Sequence, residues 1–335
     1  MMKEPWFWRE KTLAARLVAA SLSPAAIIYD AGRRLRAATT RPRPSPAPII
    51  CIGNATLGGV GKTPFALMLQ GLLAAKGLKV HFLTRGYGGA LKGPCLVDPV
   101  EHSSFDVGDE ALLLAAAAPT WLSHDRPAGA LAAGEAGAEA IIMDDGFQNP
   151  SIGKTLSFLL IDAEDPAGNG RVFPAGPLRE PEAEARSRAG ALVYILKDKA
   201  TQRPAPSPSL PTFYCWLEPS GDIAPNRVVA FAGVGRPQRF FDTLQRAGFE
   251  LAASIGYPDH HAYDEAAIDR LKKLASARGA RLITTEKDFV RMSAALREGI
   301  DVFRVRMTCD APDGVSSLAL KAVSDFARPE RAAHV

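Results

Sequence analysis

The sequence predicts an α/β protein: a mainly parallel sheet with helices on both faces, followed by a second, smaller α/β unit. Short apolar runs alternate with segments of helical length and spacing, a Gly-rich turn separates the first such run from the helix after it, and a Pro-rich stretch at 203–211 divides two rounds of the pattern. Alternation of this kind builds parallel sheets, because each crossover lays a helix across a sheet face. The length of 335 residues suits two domains, at about 100 to 200 residues apiece. Apolar residues make up 47% and charged residues 23%, an ordinary globular balance that excludes wholesale disorder and a multi-span membrane protein.

The first 48 residues stand apart. They hold nine Lys or Arg against three acids, while the remainder holds 31 against 33, so the basic excess lies in this leader. Nucleic-acid binding asks for a basic face on a folded domain, and no nucleic-acid partner is expected. A basic leader beside Trp6, Phe7 and Trp8 suits an anionic membrane surface instead. Its longest uncharged run, Leu17 to Tyr29, is 13 residues, short of the roughly 18 needed to span a bilayer. A helix lying in the membrane interface and a first helix packed on the core both fit. No small-residue cleavage site cleanly follows the run, so the leader is expected to stay on. The four cysteines, Cys51, Cys95, Cys215 and Cys309, are scattered, with no C-x-x-C pair, which fits a reducing compartment.

Residues 41–48, R-P-R-P-S-P-A-P, lack the donors and backbone freedom for helix or central strand and read as a stiff lead-in. After them the pattern gives a strand at 49–52, a helix at 63–75 closed by Gly77, a strand at 80–84, a helix at 109–117 and strands at 140–144 and 156–162. Beyond the Pro-rich stretch come a strand at 227–231, a helix at 237–247, and strands at 252–255 and 281–285 with a helix between. The expected domains are therefore a lead-in at 1–48, a first α/β domain at 49–202 and a second at 203–335 that closes over it.

Thr56-Leu57-Gly58-Gly59-Val60-Gly61-Lys62-Thr63 lies between the first strand and its helix and fits G-x-x-x-x-G-K-[ST], with Thr56 where the first Gly is expected. This is a P-loop pattern. The glycines let backbone N–H groups curl around phosphate, the helix N-terminus favours negative charge, Lys62 reaches the β and γ oxygens, and Thr63 can ligate Mg²⁺. ATP is the expected nucleotide and Mg²⁺ the expected metal.

The strand at 140–144 runs into Asp144-Asp145-Gly146-Phe147-Gln148, at the sheet edge where open α/β proteins gather ligands. Asp144 is placed to hold the metal or its water, and Asp145 to order a catalytic group; a plain Asp-Asp-Gly turn is the alternative. Asp109-Glu110 opens a predicted helix, where acids also serve simply as capping charges. Asp259-His260-His261 follows a strand and is structural or catalytic on the same residues. Arg85-Gly86-Tyr87-Gly88-Gly89 reads as a substrate loop or a turn, and Arg179 in F-P-A-G-P-L-R-E as a phosphate-seeking side chain or a surface one. Gly233-Val234-Gly235 lacks the third Gly of a dinucleotide fingerprint and reads as a tight turn.

Taken in order, G-N-A-T-L-G-G-V-G-K-T-P, R-G-Y-G-G, V-G-D-E, D-D-G-F-Q, F-P-A-G-P-L-R-E, F-A-G-V-G-R-P, P-D-H and T-E-K-D resemble the tetraacyldisaccharide 4′-kinase family over most of the chain. The resemblance implies two α/β/α domains with the active site in their cleft and transfer of the ATP γ-phosphoryl to the 4′-hydroxyl of an acylated glucosamine disaccharide 1-phosphate. The product would be lipid IVA, made at the cytoplasmic face of the inner membrane, where the N-terminal helix attaches. Carried over by position, it implies that Gly58 to Thr63 bind nucleotide, Asp109 is the catalytic base, His260 supports it and Glu110 assists Mg²⁺. Apart from the carry-over, Arg85, Gln148 and Arg179 are the candidates for substrate binding. His261 remains an alternative to His260. No obligatory protein partner is implied. A membrane-associated P-loop ATPase acting as a switch is the rival class, distinguished by turnover without a phosphorylated acceptor.

Overall fold

The computed structural model describes residues 4–221 and 223–327. Its strands are β1 (Ile49–Asn54), β2 (Val80–Thr84), β3 (Cys95–Leu96), β4 (Thr120–Leu122), β5 (Ala140–Asp144), β6 (Leu156–Asp162), β7 (Ala191–Leu196), β8 (Thr212–Ser220), β9 (Arg227–Ala232), β10 (Glu250–Gly256), β11 (Arg281–Thr285) and β12 (Ile300–Cys309). The helices, apart from a 3₁₀ turn at Trp6–Trp8, are α1 (Leu13–Ser21), α2 (Ser23–Thr39), α3 (Lys62–Ala74), α4 (Ser104–Val107), α5 (Asp109–Ala115), α6 (Arg126–Glu135), α7 (Glu182–Ser187), α8 (Pro237–Arg246), α9 (Glu265–Ala277), α10 (Glu286–Arg291) and α11 (Pro312–Phe326).

The strands lie in the order β10-β9-β11-β12-β8-β7-β6-β1-β5-β2-β4-β3. Pairing is parallel except where β3 meets β4 and β8 meets β12. All six residues of β1 are buried, as expected of a strand covered on both faces. Successive side chains of β1 serve opposite layers. Ile50 and Ile52 pack with Phe65 and Leu69 of α3, whereas Ile49 and Cys51 pack with Ala130 and Ala133 of α6. The second unit repeats the scheme, with Ile268 and Leu271 of α9 on one face and Phe241 and Leu244 of α8 on the other.

The packing draws the domain boundary differently from the Pro-rich stretch. Strand β8 lies beyond residue 203 yet pairs with β7 and buries Phe213 and Cys215 in the first core. Strand β12 belongs to both units: Ile300 to Phe303 run parallel to β11, and Arg304 to Cys309 run antiparallel to β8. The chain then returns through α11, whose Val315 and Ala319 complete the core around α3. Composition marked an exposed loop at 203–211, but the apolar faces of β8 and α11 have their matching surface on the first sheet, and burial decides.

The leader divides its surface. Trp8 is buried, donates from its indole nitrogen to Pro174 O at 3.1 Å and stacks edge-on against Phe173. Ala15, Ala19 and Ala26 face inward, while Leu13, Leu17, Ile27, Ile28 and Leu35 are exposed. Among the described residues no single helix is long and apolar enough to cross a membrane; α1 and α2 together have the length and composition but meet at a 50° bend.

Candidate active site

The phosphate loop leaves β1 at its C-terminal end and enters α3 through Gly61, whose φ of 90° is left-handed and suits glycine. Asn54 fixes the loop's start, donating from Nδ2 to Thr56 O at 2.8 Å and to Thr56 Oγ1 at 3.0 Å. The F-P-A-G-P-L-R-E segment grips the other side: Leu57 N donates to Pro177 O and Arg179 N to Ala55 O, both at 2.7 Å. Lys62 extends back over the loop, donating to Asn54 Oδ1 at 2.9 Å, with Asp145 Oδ1 3.5 Å away. Burial draws the Lys62 ammonium below its usual pKa, and Asp145, Asp144 and Glu110 oppose that pull.

Asp144 ends β5 beside the loop and accepts a 3.1 Å hydrogen bond on Oδ2 from Thr63 Oγ1. Its Oδ1 is buried and accepts none among the described residues. Burial, aided by the nearby charges of Asp145 and Glu110, pushes the carboxyl up to about 6 although Lys62 resists. Asp145 takes a φ of 50° and receives Arg179 in a bidentate pair at 2.8 and 3.1 Å. Burial works against its ionisation, but Lys62 and Arg179 outweigh it and hold this carboxyl below the usual range. Gln148 donates to Asn54 O and to Glu180 Oε1, both at 2.9 Å, and so braces the loop from beneath.

Glu180 is fully buried and also receives Arg33 of α2 and Arg188. Removing one member of a buried ion pair strands the others, so Glu180→Ala is expected to cost about 3–5 kcal/mol in chemical unfolding.

Facing the loop, the R-G-Y-G-G turn and the turn before α5 press backbone on backbone. A Cβ on Gly89 would meet Asp106 O at 2.6 Å, and one on Gly108 would meet Tyr87 O at 2.4 Å. Gly108 has a φ of 81° and directly precedes Asp109. Gly108→Ala is expected to lower stability by about 1–3 kcal/mol, read from denaturant midpoints, through strain at a position an L side chain avoids.

Asp109 opens α5 and is buried, meeting residues of the second unit. Its Oδ2 lies 3.0 Å from His260 Nδ1 and accepts from Arg291 Nε at 2.7 Å. Burial favours its neutral form, but the hydrogen bonds from His260 and Arg291 and the charges of Arg291 and Lys287 outweigh that and hold its carboxyl well below the usual range. Glu110 pairs with Lys287 Nζ at 2.6 Å on Oε1, while its Oε2 is buried with no hydrogen bond among the described residues. Asp109, Glu110 and His260 bring one donor atom each to within 4.8 Å of one another. His260 holds a φ of 56° while its N–H bonds Gly233 O at 3.1 Å. His261 points elsewhere, stacked on Tyr257 with ring centroids 4.5 Å apart.

The structure thus gathers Thr56 to Thr63, Asp144, Asp145, Gln148 and Arg179 at one sheet edge and sets Asp109, Glu110 and His260 across from them. Arg85 stays exposed and makes no ion pair among the described residues. Sequence reasoning passed over Asn54, Glu180, Lys287 and Arg291. T-E-K-D contained Lys287, and Glu180 closed the F-P-A-G-P-L-R-E motif, but a residue three positions after Asp288 carried no signal of its own.

A phosphoryl group bound at the head of α3 would face one acid–base cluster across the cleft, and phosphoryl transfer asks a protein for little more. Fold and site together define a P-loop phosphotransferase. The family model described as tetraacyldisaccharide-1-P 4′-kinase matches residues 18–323. A tetraacyldisaccharide 4′-kinase of Rhodospirillum centenum is 45% identical over 322 residues, covering 95% of this chain and 96% of the relative. One of Parvibaculum lavamentivorans is 49% identical over 306 residues, covering 88% of each. The crystal structure of LpxK from Aquifex aeolicus in complex with ATP superposes with a TM-score of 0.73 at 26% identity, covering 91% of this chain and 99% of that one. This chain belongs to the tetraacyldisaccharide 4′-kinase family.

Proposed function

We propose that this protein transfers the γ-phosphoryl of ATP to the 4′-hydroxyl of tetraacyldisaccharide 1-phosphate and so forms lipid IVA. The observation that carries the reading is the 3.0 Å contact of Asp109 Oδ2 with His260 Nδ1, made across the cleft from the Lys62 loop. The acceptor oxygen attacks the γ-phosphorus, the bond to the β,γ-bridging oxygen breaks, and ADP leaves with that electron pair. Asp109 takes the hydroxyl proton, and His260 orients the carboxylate or passes the proton on. Lys62 and the loop N–H groups hold the phosphates in line.

The donor set fits Mg²⁺, a hard cation that takes oxygen ligands. Thr63 Oγ1 and Asp144 are adjacent, Asp144 Oδ1 and Glu110 Oε2 are buried without hydrogen bonds among the described residues, and these side chains would hold the ion. When bound, it neutralises charge on the β and γ oxygens. Asp145 lies beside Lys62 and is itself held by Arg179.

The acceptor's 1-phosphate needs a cation that is not already committed. Arg179 is paired with Asp145, so Arg85 is the better candidate. Arg85 lies near Lys92 and Arg126, and after burial these three charges all disfavour protonation of His124. The exposed Leu13, Leu17, Ile27, Ile28 and Leu35 of the leader suit attachment in the membrane interface, on the cytoplasmic face of the inner membrane where ATP is available. The second domain, taken as the unit around β9, β10 and β11, closes over the nucleotide.

Transfer of γ-labelled phosphate to tetraacyldisaccharide 1-phosphate in mixed micelles tests the reading. Labelled glycolipid from Mg-ATP is the expected result. ATP hydrolysis stimulated by acceptor-free vesicles, with no labelled lipid, would replace it with the switch.

A further inference from the structure

We infer that Arg291 is a positioning residue for the phosphoryl-transfer reaction: it pins one oxygen of Asp109 and leaves the other to receive the acceptor's proton. The inference rests on the reading of Asp109 as proton acceptor given above. Arg291 ends α10 and is almost fully buried, with its side chain 4% exposed. Its guanidinium is divided among three groups. Nε donates to Asp109 Oδ2 at 2.7 Å and Nη2 lies 2.5 Å from the same oxygen. Nη1 donates to Gly233 O at 2.6 Å and to Asp288 Oδ1 at 2.9 Å.

Both anchors are themselves fixed. Asp288 is fully buried and also accepts from Gly233 N, from Tyr263 OH and from Thr285 Oγ1, at 2.9, 2.9 and 2.7 Å. Gly233 O receives the N–H of His260 as well. One rigid cluster in the second unit therefore sets the position of both His260 and Arg291, and these two converge on Asp109 Oδ2 from the first unit. Asp109 Oδ1 accepts no hydrogen bond among the described residues. The carboxylate is thus held by one oxygen and open at the other.

An arginine against a base carries a cost, since it stabilises the carboxylate and weakens it as a proton acceptor. Two effects compete, and the reaction decides between them. A loose phosphoryl-transfer transition state develops little basicity demand at the attacking oxygen, whereas displacement of a reacting group by about 1 Å costs on the order of 100-fold in rate. Fixing the carboxylate therefore outweighs weakening it. Lysine cannot substitute, because an ammonium offers no planar fork to bridge a carboxylate and a carbonyl.

The test uses the full-length chain in the micelle assay, comparing Arg291→Ala, Arg291→Lys and Asp109→Asn for kcat, KM and melting temperature. Arg291→Ala is expected to lose about 100-fold in kcat with KM for Mg-ATP unchanged. Arg291→Lys is expected to stay similarly impaired, and added guanidinium to restore part of the Arg291→Ala activity but none of the Asp109→Asn activity. Should the alanine variant melt early, the folded lysine variant decides: low kcat supports the inference and wild-type kcat overturns it. A defect confined to KM, or one that guanidinium leaves untouched in a folded alanine variant, also overturns it. An inactive Asp109→Asn beside a fully active Arg291→Ala removes this inference alone, whereas a fully active Asp109→Asn removes the underlying reading of Asp109.

Discussion

Asp109→Asn should abolish most phosphoryl transfer while leaving Mg-ATP bound. Loss of a positioned general base costs about 10²- to 10⁴-fold, and single-turnover rates with labelled ATP would read it directly. Nucleotide affinity should hold, because the Lys62 loop is built from β1, α3 and the segment around Pro177 rather than from α5. The same substitution gives a pH-dependent signature in stability. The Asp109 carboxyl is held below its ordinary value of 3.8. Its contribution is therefore fully present above that value and lost as the pH falls toward the folded-state pKa. Wild type should be more stable than Asp109→Asn at neutral pH, with the gap narrowing only below about pH 4. A gap independent of pH in that range would show that the ion pairs to Arg291 and Lys287 contribute nothing to folding.

Lys62→Ala should be the second severe variant, by a different route. Removing one preorganised cationic or hydrogen-bonding group from a developing phosphoryl charge costs about 10²- to 10³-fold, and here binding should fall as well as turnover. Asp145 keeps its bidentate partner Arg179, so the site is expected to stay folded. Calorimetric titration with Mg-ATP beside the transfer assay separates the two losses. Unchanged affinity together with unchanged turnover would mean that the phosphates do not reach the position Lys62 now covers.

Much of this site was legible because it is local. A phosphate loop is one contiguous turn whose glycines and lysine are required by backbone geometry, so Gly58 to Thr63 read directly from the chain. Asp144 was legible because a run of buried β residues ends on it. The strands at 80–84, 140–144, 156–162 and 281–285 matched their periodicity for the same reason. What stayed hidden depends on distant partners. His260 could be preferred over His261 only by resemblance, since one turns to Asp109 and its neighbour to Tyr257, and no spacing rule encodes that choice. Arg291 sits 182 positions from Asp109 and looks in sequence like any basic residue ending a helix. That β8 and α11 pack into the first core was not legible either, because proline content reports an exposed loop, whereas membership of a core is decided by which apolar faces meet.

The course of β12 also bears on how the chain folds as it is synthesised. The second core is built from residues between Ile223 and Val305, and it can close while the last segment is still inside the ribosome. The first core cannot, because Met307, Cys309, Val315 and Ala319 are among its buried residues. Domains usually fold in the order they are synthesised, but this layer of the first core stays incomplete until β12 and α11 have been made. Met307 lies against Gly61, 3.1 Å from where a Cβ would stand. The phosphate loop therefore takes part of its support from a strand residue made more than 240 positions after it.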